Sequence, residues 1–499
     1  MIAKIVAGKF ELLNKKKIMK SILLFVLISF ISFLAKAQGR KKYTLIEIIS
    51  QAQTKSSKSK LAETKKEIGY YQFISYRSDL KPKIYLNGNL PTYNKEYFGV
   101  RQPDGTVIFQ SIIQNNAILG IALIQQLPFS GGELSFNSNL TRFDDFKFKT
   151  NQYSGTPFYL KLSQPLFTLN ELKWRKKIEP LKYEETKRDY LQEMEKIAQE
   201  TVKYYFDLID AQINIDMFST NLNNANINYQ IEEKRINLGT TTEDKLLQLE
   251  LQKLTSLQNL ENAKYSYQMA QLNLKIFIGL RDSLDFDVLV PYNIVNFKIN
   301  IDRAIEFAKQ NRAEFISFHR KLKEAEKELL IAKSAKQQIN LITSFGVNNI
   351  GNNISDIYKN PNDQQHFNIG FNIPILDWGR SKARLNVAKA LKKLIEFNND
   401  FDENVIILEI VNLVKNFEML KQNIFLCKKT DSIAERRFIL SNTLYRTGKL
   451  SVTDLNLSQI EKDNSRINYV NALRQYWDSY FLLRRLTLFD FENEIPIKW

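Results

Sequence analysis

The sequence predicts a mixed α and β protein built from two copies of one unit, in which short alternating strands lead into long antiparallel coiled-coil helices. Gln164-Pro165-Leu166-Phe167 opens one long helical stretch, and Ile373-Pro374-Ile375-Leu376 opens another 209 residues later. Gly239 and Gly448, also 209 residues apart, break these two stretches. Alternation of apolar and polar residues with a period of two precedes each stretch. Duplication of this kind indicates a unit that cannot bury its apolar face without its copy.

The N-terminus has the features of an export signal. Lys15-Lys16-Lys17 precedes an apolar run from Ile22 to Leu34, which is followed by Ala35-Lys36-Ala37. The run of about 13 residues is shorter than the roughly 20 that a membrane-spanning helix needs. We therefore predict a signal peptide over residues 1–37, with Met19 as an alternative start site. An uncleaved membrane anchor is the other interpretation of this pattern.

Composition favours neither an enzyme nor a nucleic-acid-binding protein. The net charge is +17, but Lys and Arg are spread along the predicted helices without a concentrated patch, which favours solvated helix faces over nucleic-acid binding. Cys427 is the only cysteine, so the chain has no internal disulfide, and we expect a small packing residue there. His319 and His366 lack metal-ligand spacing. The sequence predicts no catalytic residue, cofactor or metal site.

Several short segments show the alternation of β-strands. Phe367, Ile369, Phe371 and Ile373 alternate with Asn or Gly, and segments beginning at residues 84, 158 and 341 show a similar pattern. Alternation places an apolar row on one face of a sheet and polar residues on the other. A soluble sandwich and a transmembrane barrel both produce this pattern. The export signal, and strand lengths near the 9–11 residues of membrane strands, favour the barrel.

One predicted hairpin has no counterpart in the second copy. Strands over residues 119–127 and 134–140 are joined through Pro128-Phe129-Ser130-Gly131-Gly132. This is a favourable turn because glycine accepts a positive φ. The hairpin either extends the extracellular face of the predicted barrel or changes the number of strands.

The helices are expected to be long. From Gly379 to Tyr445 there is no proline and no second glycine, and a continuous helix of about 65 residues reaches roughly 100 Å. Apolar residues recur at steps of three and four between Phe401 and Ile424, which is typical of coiled-coil packing. Leu247, Leu251, Leu254 and Leu257 repeat this pattern in a return helix. Further apolar residues widen both stripes, so each helix is expected to contact more than one neighbour.

The strand-to-helix junctions at residues 162–167 and 373–380 and the two glycine-led tips resemble those of the TolC-like outer membrane efflux protein family, the outer membrane factors. The resemblance covers nearly all of residues 38–490 and depends on the order, duplication and spacing of these features. It implies a first repeat over residues 38–290, a second over 291–490 and a C-terminal tail over 491–499. The implied fold is a membrane protein with a periplasmic α-barrel and a trimeric transmembrane β-barrel of about four strands per protomer.

The resemblance implies a passive trimeric channel in the cell outer membrane with a large periplasmic portion. Such a channel serves a tripartite efflux or type I secretion system. The implied partners are two further copies of the chain, a periplasmic adaptor (membrane fusion) protein, an inner-membrane transporter and outer membrane lipid. The alternative is a soluble periplasmic coiled-coil scaffold or adaptor protein. Adaptors usually contain one helical hairpin and would not duplicate both strands and tips.

The resemblance also implies roles for residues near the two tips. Residues expected to dock the adaptor surround the tip glycines: Arg235, Asn237, Leu238, Gly239, Thr240, Tyr445, Arg446, Thr447, Gly448 and Lys449. The candidate pore-mouth carboxylates are Asp454, Asp244 and Glu243. Leu457 stands where a second aspartate of a double ring is expected. C-capping by the glycines, and favourable placement of the carboxylates near a helix start, are the alternatives.

Four residues mark the strand-to-helix junctions: Pro165, Pro374, Trp378 and Gly379. Proline suits a strand end because it interrupts the hydrogen-bond ladder. Trp174, Trp378 and Tyr159 are candidates for aromatic residues at the membrane interface. Packing of Trp378 beneath the turn is the alternative.

Overall fold

A computed structural model describes residues 41–280, 285–294, 297–335 and 338–498. The predicted signal peptide lies outside the described residues. The helices are α1 (Leu45–Lys55), α2 (Ser57–Asp79), α3 (Glu171–Asn237), α4 (Glu243–Phe277), α5 (Ile301–Asn311), α6 (Ala313–Ser334), α7 (Ile354–Ile357), α8 (Arg380–Arg446) and α9 (Val452–Thr487). The strands are β1 (Lys41–Tyr43), β2 (Lys83–Asn89), β3 (Tyr93–Arg101), β4 (Val107–Leu127), β5 (Gly132–Asp145), β6 (Thr150–Leu166), β7 (Phe286–Val288), β8 (Gln338–Gly351), β9 (Asn362–Asn372), β10 (Phe489–Asp490) and β11 (Ile495–Pro496).

Each predicted tip joins one long helix to a shorter return helix. Helices α3 and α8 each have 67 residues, and α4 and α9 have 35 and 36. At 1.5 Å per residue, each long helix spans about 100 Å. The predicted antiparallel helical hairpins are confirmed.

The helices lie side by side in two rows. Near the tips the order of contacts is α4–α3–α9–α8, and near the large sheet it is α2–α3–α6–α8. Helices α3 and α8 therefore run through both rows, whereas α2 and α4 each end one row. Among the described residues, no helix combines the length and apolar character needed to cross a membrane.

The main core lies where the two halves of the chain meet. Phe417 of α8 and Tyr476 of α9 are fully buried, and their rings stack with centroids 5.0 Å apart. Tyr205 of α3 is also fully buried, and its hydroxyl donates to the carbonyl oxygens of Leu289 at 2.6 Å and Tyr43 at 3.0 Å. This core therefore holds β1 and β7 against the long helices. Cys427 is partly buried and packs against the same cluster.

The packing face of α4 differs from the predicted one. Leu247, Leu251 and Leu254 are 56–66 % exposed in the single chain, whereas Leu249 is fully buried. The reason is that α4 lies at the end of its row and packs along one side, against α3. Helix α8 likewise has both exposed and buried apolar residues: Phe401 is 67 % exposed, whereas Phe417 is fully buried.

Within the described ranges, the large sheet is antiparallel and contains seven strands. Six follow the order β2–β4–β5–β6–β8–β9, and the seventh, β3, pairs with β4. Strands β2 and β3 pair with the two halves of β4, at residues 118–124 and 107–115, so they form one broken row. The sheet thus has six rows, compared with the expected number of about four. The predicted extra hairpin accounts for the difference, because its strands β4 and β5 pair within the same sheet.

One face of the sheet carries exposed apolar residues in all six rows. Ile84, Leu123, Phe136, Leu160 and Phe345 follow one line across five rows, each paired with the next. The outer belt, as we call this surface, consists of exposed apolar residues on the same face: Ile84, Leu86, Leu119, Ile121, Leu123, Phe136, Leu160, Phe345, Phe367, Ile369 and Phe371. The opposite face is mostly small or polar, as the alternation predicts.

Gly346 occupies a close contact between the two halves of the chain. It lies where β8 pairs with β6, and a Cβ there would stand 2.3 Å from the carbonyl oxygen of Phe158 and 2.9 Å from Cα of Tyr159. A side chain would therefore force the two strands apart. Gly370 in β9 is a matched control, because the nearest atom to its Cβ position would be 3.7 Å away.

We predict that Gly346→Ala destabilises the fold by about 1–3 kcal/mol, the usual cost of overpacking, and lowers the midpoint of thermal unfolding. Gly370→Ala should unfold close to the wild-type temperature. Thermal unfolding followed by circular dichroism, with the yield of folded protein, measures both. Equal unfolding temperatures for the two variants would contradict the close β6–β8 contact.

Candidate functional site

Two glycine-led turns reverse the chain at the tips. Gly239 and Gly448 have φ of 67° and 76°, in the left-handed region that glycine adopts without steric cost. The Thr240 N–H donates to the Arg235 carbonyl oxygen at 2.9 Å, and the Lys449 N–H donates to that of Leu444 at 2.9 Å. These bonds satisfy carbonyl groups at the helix ends, as in C-terminal capping.

A buried hydrogen-bond network joins the first tip to the second. The Tyr445 hydroxyl donates to the Glu232 carboxylate at 2.9 Å, and the Arg235 guanidinium donates to the same carboxylate at 3.0 Å. Arg235 also donates to the carbonyl oxygen of Tyr445 at 3.1 Å. The Thr241 hydroxyl is a further donor to Glu232. We call Glu232, Arg235, Thr241 and Tyr445 the tip clamp.

The tip clamp is built around an ionised carboxylate. Burial by itself would raise the pKa of Glu232, but the donors from Thr241, Tyr445 and Arg235 together hold that pKa below its usual range. Burial and the neighbouring carboxylate raise the pKa of Tyr445. A carboxyl group with a lowered pKa stabilises the fold above its unfolded-state pKa, and this contribution is lost as the pH falls through the folded-state value. The clamp is therefore intact at neutral pH and weakens in acid.

The sequence identified Arg235 and Tyr445 near the tips but missed Glu232 and Thr241. Glu232 and Glu233 are adjacent carboxylates in the last turns of α3, and only Glu232 is buried, at 2 % exposure. Its position three residues before Arg235, which allows an ion pair on one helix face, is the signal that was available.

The other predicted docking residues form an exposed rim around the clamp. Leu238 is 76 % exposed, which is unusual for a large apolar side chain at the end of a helical hairpin. The rim comprises Asn237, Leu238, Gly239, Thr240, Arg446, Thr447, Gly448 and Lys449.

The predicted pore-mouth carboxylates all lie in the first turns of the return helices. Glu243 and Asp244 begin α4, Asp454 lies in the first turn of α9, and all three are exposed. The Asp454 N–H donates to the Ser451 hydroxyl oxygen at 3.1 Å, and that hydroxyl donates to the Asp454 carboxylate at 2.7 Å. These are contacts of a capped helix start, where a negative charge also favours the helix dipole.

Each strand-to-helix junction exposes an aromatic residue with left-handed backbone geometry. Phe167 and Trp378 have φ of 57° and 52° and are 72 % and 89 % exposed. Positive φ is rare for bulky residues. Because its side chain is exposed, Trp378 does not pack beneath the turn of the single chain. Trp174, which was also a candidate for the membrane interface, is only 9 % exposed, and the Lys177 ammonium lies 4.9 Å from its ring.

The two prolines occupy different positions relative to the sheet. Pro165 lies opposite Asn340 within the β6–β8 pair, one residue before β6 ends, whereas Pro374 follows the end of β9. Gly379, with φ of 86°, is the N-cap of α8. The Asp377 carboxylate accepts hydrogen bonds from the N–H groups of Gly379 at 3.0 Å and Ser381 at 2.9 Å. Asp377 thus caps this helix in place of the glycine, which has no side chain.

The fold and the duplicated hairpins agree with the sequence signature of a known family. The signature of the outer membrane efflux proteins matches residues 120–280 and 304–487. The chain belongs to the outer membrane efflux protein family, which is a family of channels rather than enzymes. A search of curated protein sequences found no match.

Solved structures of outer membrane proteins share this fold. The CmeC outer membrane channel of Campylobacter jejuni is 16 % identical over 91 % of this chain and 87 % of its own, with a TM-score of 0.65. VceC of Vibrio cholerae is 13 % identical over 89 % and 95 %, with a TM-score of 0.63. The open-state MtrE channel of Neisseria gonorrhoeae is 15 % identical over 89 % and 88 %, with a TM-score of 0.62. The predicted TolC-like fold is confirmed.

Loss of the Tyr445 hydroxyl should loosen the tips. Tyr445→Phe removes the donor to Glu232 but keeps the ring, and a lost hydrogen bond to a charged group costs about 1.5–3 kcal/mol. We expect hydrogen–deuterium exchange over residues 230–245 and 440–455 to become at least about tenfold faster, because exchange reports local opening.

Tyr265→Phe on α4, where the tyrosine is 65 % exposed, provides the control and should leave exchange at the tips unchanged. Exchange in Tyr445→Phe that matches the wild type at both tips would show that the clamp does not hold them together.

Proposed function

We propose that this protein is the outer membrane channel of a tripartite efflux or type I secretion system. It is a passive trimeric duct that carries substrate from an inner-membrane transporter across the periplasm and the outer membrane. The observation that carries this proposal is the outer belt, an apolar sheet face that none of the described residues covers, at one end of helical hairpins about 100 Å long. Membership of a family of outer membrane channels supports the same function.

The outer belt suits contact with lipid. Leu86, Phe367 and Phe371 are 69–75 % exposed, and soluble proteins rarely expose contiguous apolar patches of this extent. A soluble periplasmic scaffold, the alternative function, would leave this surface in water. In the channel, the belt faces hydrocarbon and the mostly polar face lines the lumen. Phe167 and Trp378, at the helix ends of their strands, are placed to contact the membrane interface.

The ends of the helical rows are suited to contact further copies of the chain. On α8, Val387, Leu394, Phe401 and Leu408 recur at seven-residue steps and are 52–67 % exposed. A second exposed series on α8 has the same spacing: Met419, Leu426, Ile433 and Leu440. Exposed apolar heptads of this kind form the seam of a coiled coil.

Complementary apolar residues lie at the opposite ends of the two rows. Leu61 and Ile68 of α2 are 63 % and 52 % exposed, and Leu247 and Leu254 of α4 are each 56 % exposed. Each pair is again seven residues apart. Contact between α8 of one copy and α2 and α4 of the next is head-to-tail, and such contacts form a ring when the rotation closes. A homotrimer is therefore the assembly we propose.

The tips are the end farthest from the sheet and are assigned to partner binding. The exposed rim offers main-chain and side-chain groups to a periplasmic adaptor protein, and the tip clamp holds the two hairpins of a protomer together at the periplasmic mouth. Asp454, Asp244 and Glu243 would line that mouth and favour cations there. Residues 38–290 and 291–490 are proposed as the two repeats, which the matching lengths of α3 and α8 support.

Phe401→Asp should disrupt the trimer. The substitution puts three carboxylates into the proposed seams, where burying an unpaired charge costs several kcal/mol. The control is Lys393→Asp on the same helix, because Lys393 is exposed and lies about 80° around the helix axis from Phe401. Light scattering in mild detergent, after membrane fractionation, measures the protein mass.

The wild type and Lys393→Asp should be trimers recovered from the outer membrane, whereas Phe401→Asp should shift towards monomer. Recovery of the wild type as a monomer in the soluble periplasm would overturn the proposed function.

A further inference from the structure

We infer that this chain contributes six strand rows to the membrane barrel, and that the β2/β3 row of one copy pairs with β9 of the next. Three copies then close a barrel of about eighteen strands, with six rows from each copy. The inference rests on the proposed function, because the trimeric channel supplies the number of copies. The pairing of the β2/β3 and β9 edges and the number of rows together determine the width of the membrane pore.

The extra hairpin is part of the continuous sheet. Strand β4 pairs on one edge with β2 and β3, through residues 118–124 and 107–115, and on the other edge with β5, through residues 114–127. Leu119, Ile121 and Phe136 of this hairpin lie in the outer belt with residues of the other rows. A hairpin folded into the lumen or standing away from the membrane would not place these residues on the same apolar face.

The two rows at the edges of the sheet run in the directions that closure of a ring requires. Row β2/β3 starts after α2 and runs away from the helices, whereas β9 runs back towards α8. Among the described residues, β9 pairs with β8 alone, and β2 and β3 pair with β4 alone. Because the number of rows is even, a neighbouring copy meets each free edge in antiparallel orientation. Such pairing satisfies backbone groups that would each cost several kcal/mol in hydrocarbon.

The two edges also match in the character of their faces. Ile84 and Leu86 on β2, and Phe367 and Ile369 on β9, belong to the outer belt. The residues between them, such as Asn87 on β2 and Asn368 on β9, lie on the opposite face. Pairing of these edges therefore keeps the apolar surface continuous around the barrel.

Six rows match the width of the helical part of the same chain. Strands about 4.8 Å apart and tilted by about 40° each cover about 6 Å of circumference, so six rows cover about 38 Å. Four helices spaced about 9–10 Å apart cover about 36–40 Å. Four rows would cover only about 25 Å. With six rows, the pore through the membrane is about as wide as the helical tunnel below it.

Crosslinking between engineered cysteines tests which edges meet. In a Cys427→Ser background, Asn368→Cys on β9 is combined in turn with Tyr85→Cys, Asn87→Cys or Asn89→Cys on β2. The matched control pairs combine Asn368→Cys with Ser135→Cys, Asn137→Cys or Asn139→Cys on β5, which lie on the same face of the sheet. Outer membranes are treated with a short bis-maleimide, and covalent dimers and trimers are resolved by denaturing electrophoresis.

We expect at least one β9–β2 pair to crosslink between copies about tenfold more than any β9–β5 pair. Crosslinks confined to the β9–β5 pairs, or absent from both sets in protein that light scattering shows to be trimeric, would overturn the six-row barrel while the channel function stands. A monomeric mass for the uncrosslinked protein would instead refute the proposed function itself.

Discussion

The structure depends on the contact between α3 and α9, because this contact joins the first helical hairpin to the second. A buried ion pair reinforces the apolar packing there: Arg484 Nε lies 2.9 Å from Glu195 Oε2, and Glu195 is 1 % exposed. The Arg484 guanidinium also bonds to Asp490 at 2.5 Å, which ties the C-terminal segment to the same site. Removing one partner of such a pair leaves an uncompensated buried charge, at a cost of about 3–5 kcal/mol.

With the two hairpins fixed side by side, the row of helices and the sheet each leave two sides without a neighbour from the described part of the same chain. A single row of four helices has two ends, and a single sheet has two edges, so one protomer cannot cover all of its apolar faces. The heptads exposed on α8 and the free edge of β9 occur on the same side of the chain. In the proposed trimer, one rotation that buries the helical seam therefore also brings sheet edges together, so that folding and assembly would be coupled.

Much of this architecture could be predicted from the sequence, because its strongest signals are local. Gly239 and Gly448 suit turns with positive φ, and the absence of proline from Gly379 to Tyr445 predicts the long helix α8. Helix α3 reaches the same length although it contains Pro180. Other features depend on neighbours. The stripe at Leu247 and Leu251 has the spacing of a coiled coil, but spacing does not say whether the partner helix belongs to the same chain. Glu232 was missed because burial, which distinguishes it from Glu233, is a property of the packed hairpins.

The number of strand rows could not be predicted from local sequence signals either. The strands of the extra hairpin alternate in the same way as the other strands, and alternation does not specify which strands become neighbours. The register between β4 and β5 settles this point, since it places Leu123 opposite Phe136. Of the two exposed junction aromatics, Trp378 was a candidate for the membrane interface from the sequence, whereas Phe167 was not, and the left-handed backbone of both was not predicted.

The way in which Arg235 holds the second tip has a consequence for how this protein can evolve. Its guanidinium donates to main-chain oxygens, of Tyr445 at 3.1 Å and of Arg446 at 3.4 Å, and every amino acid supplies such an oxygen. Substitution of the side chains at Arg446, Thr447 or Lys449 leaves these bonds in place. Under the proposed adaptor docking, recognition of a partner by the rim and closure of the tips would thus be separable traits, and the rim could change without loosening the hairpins.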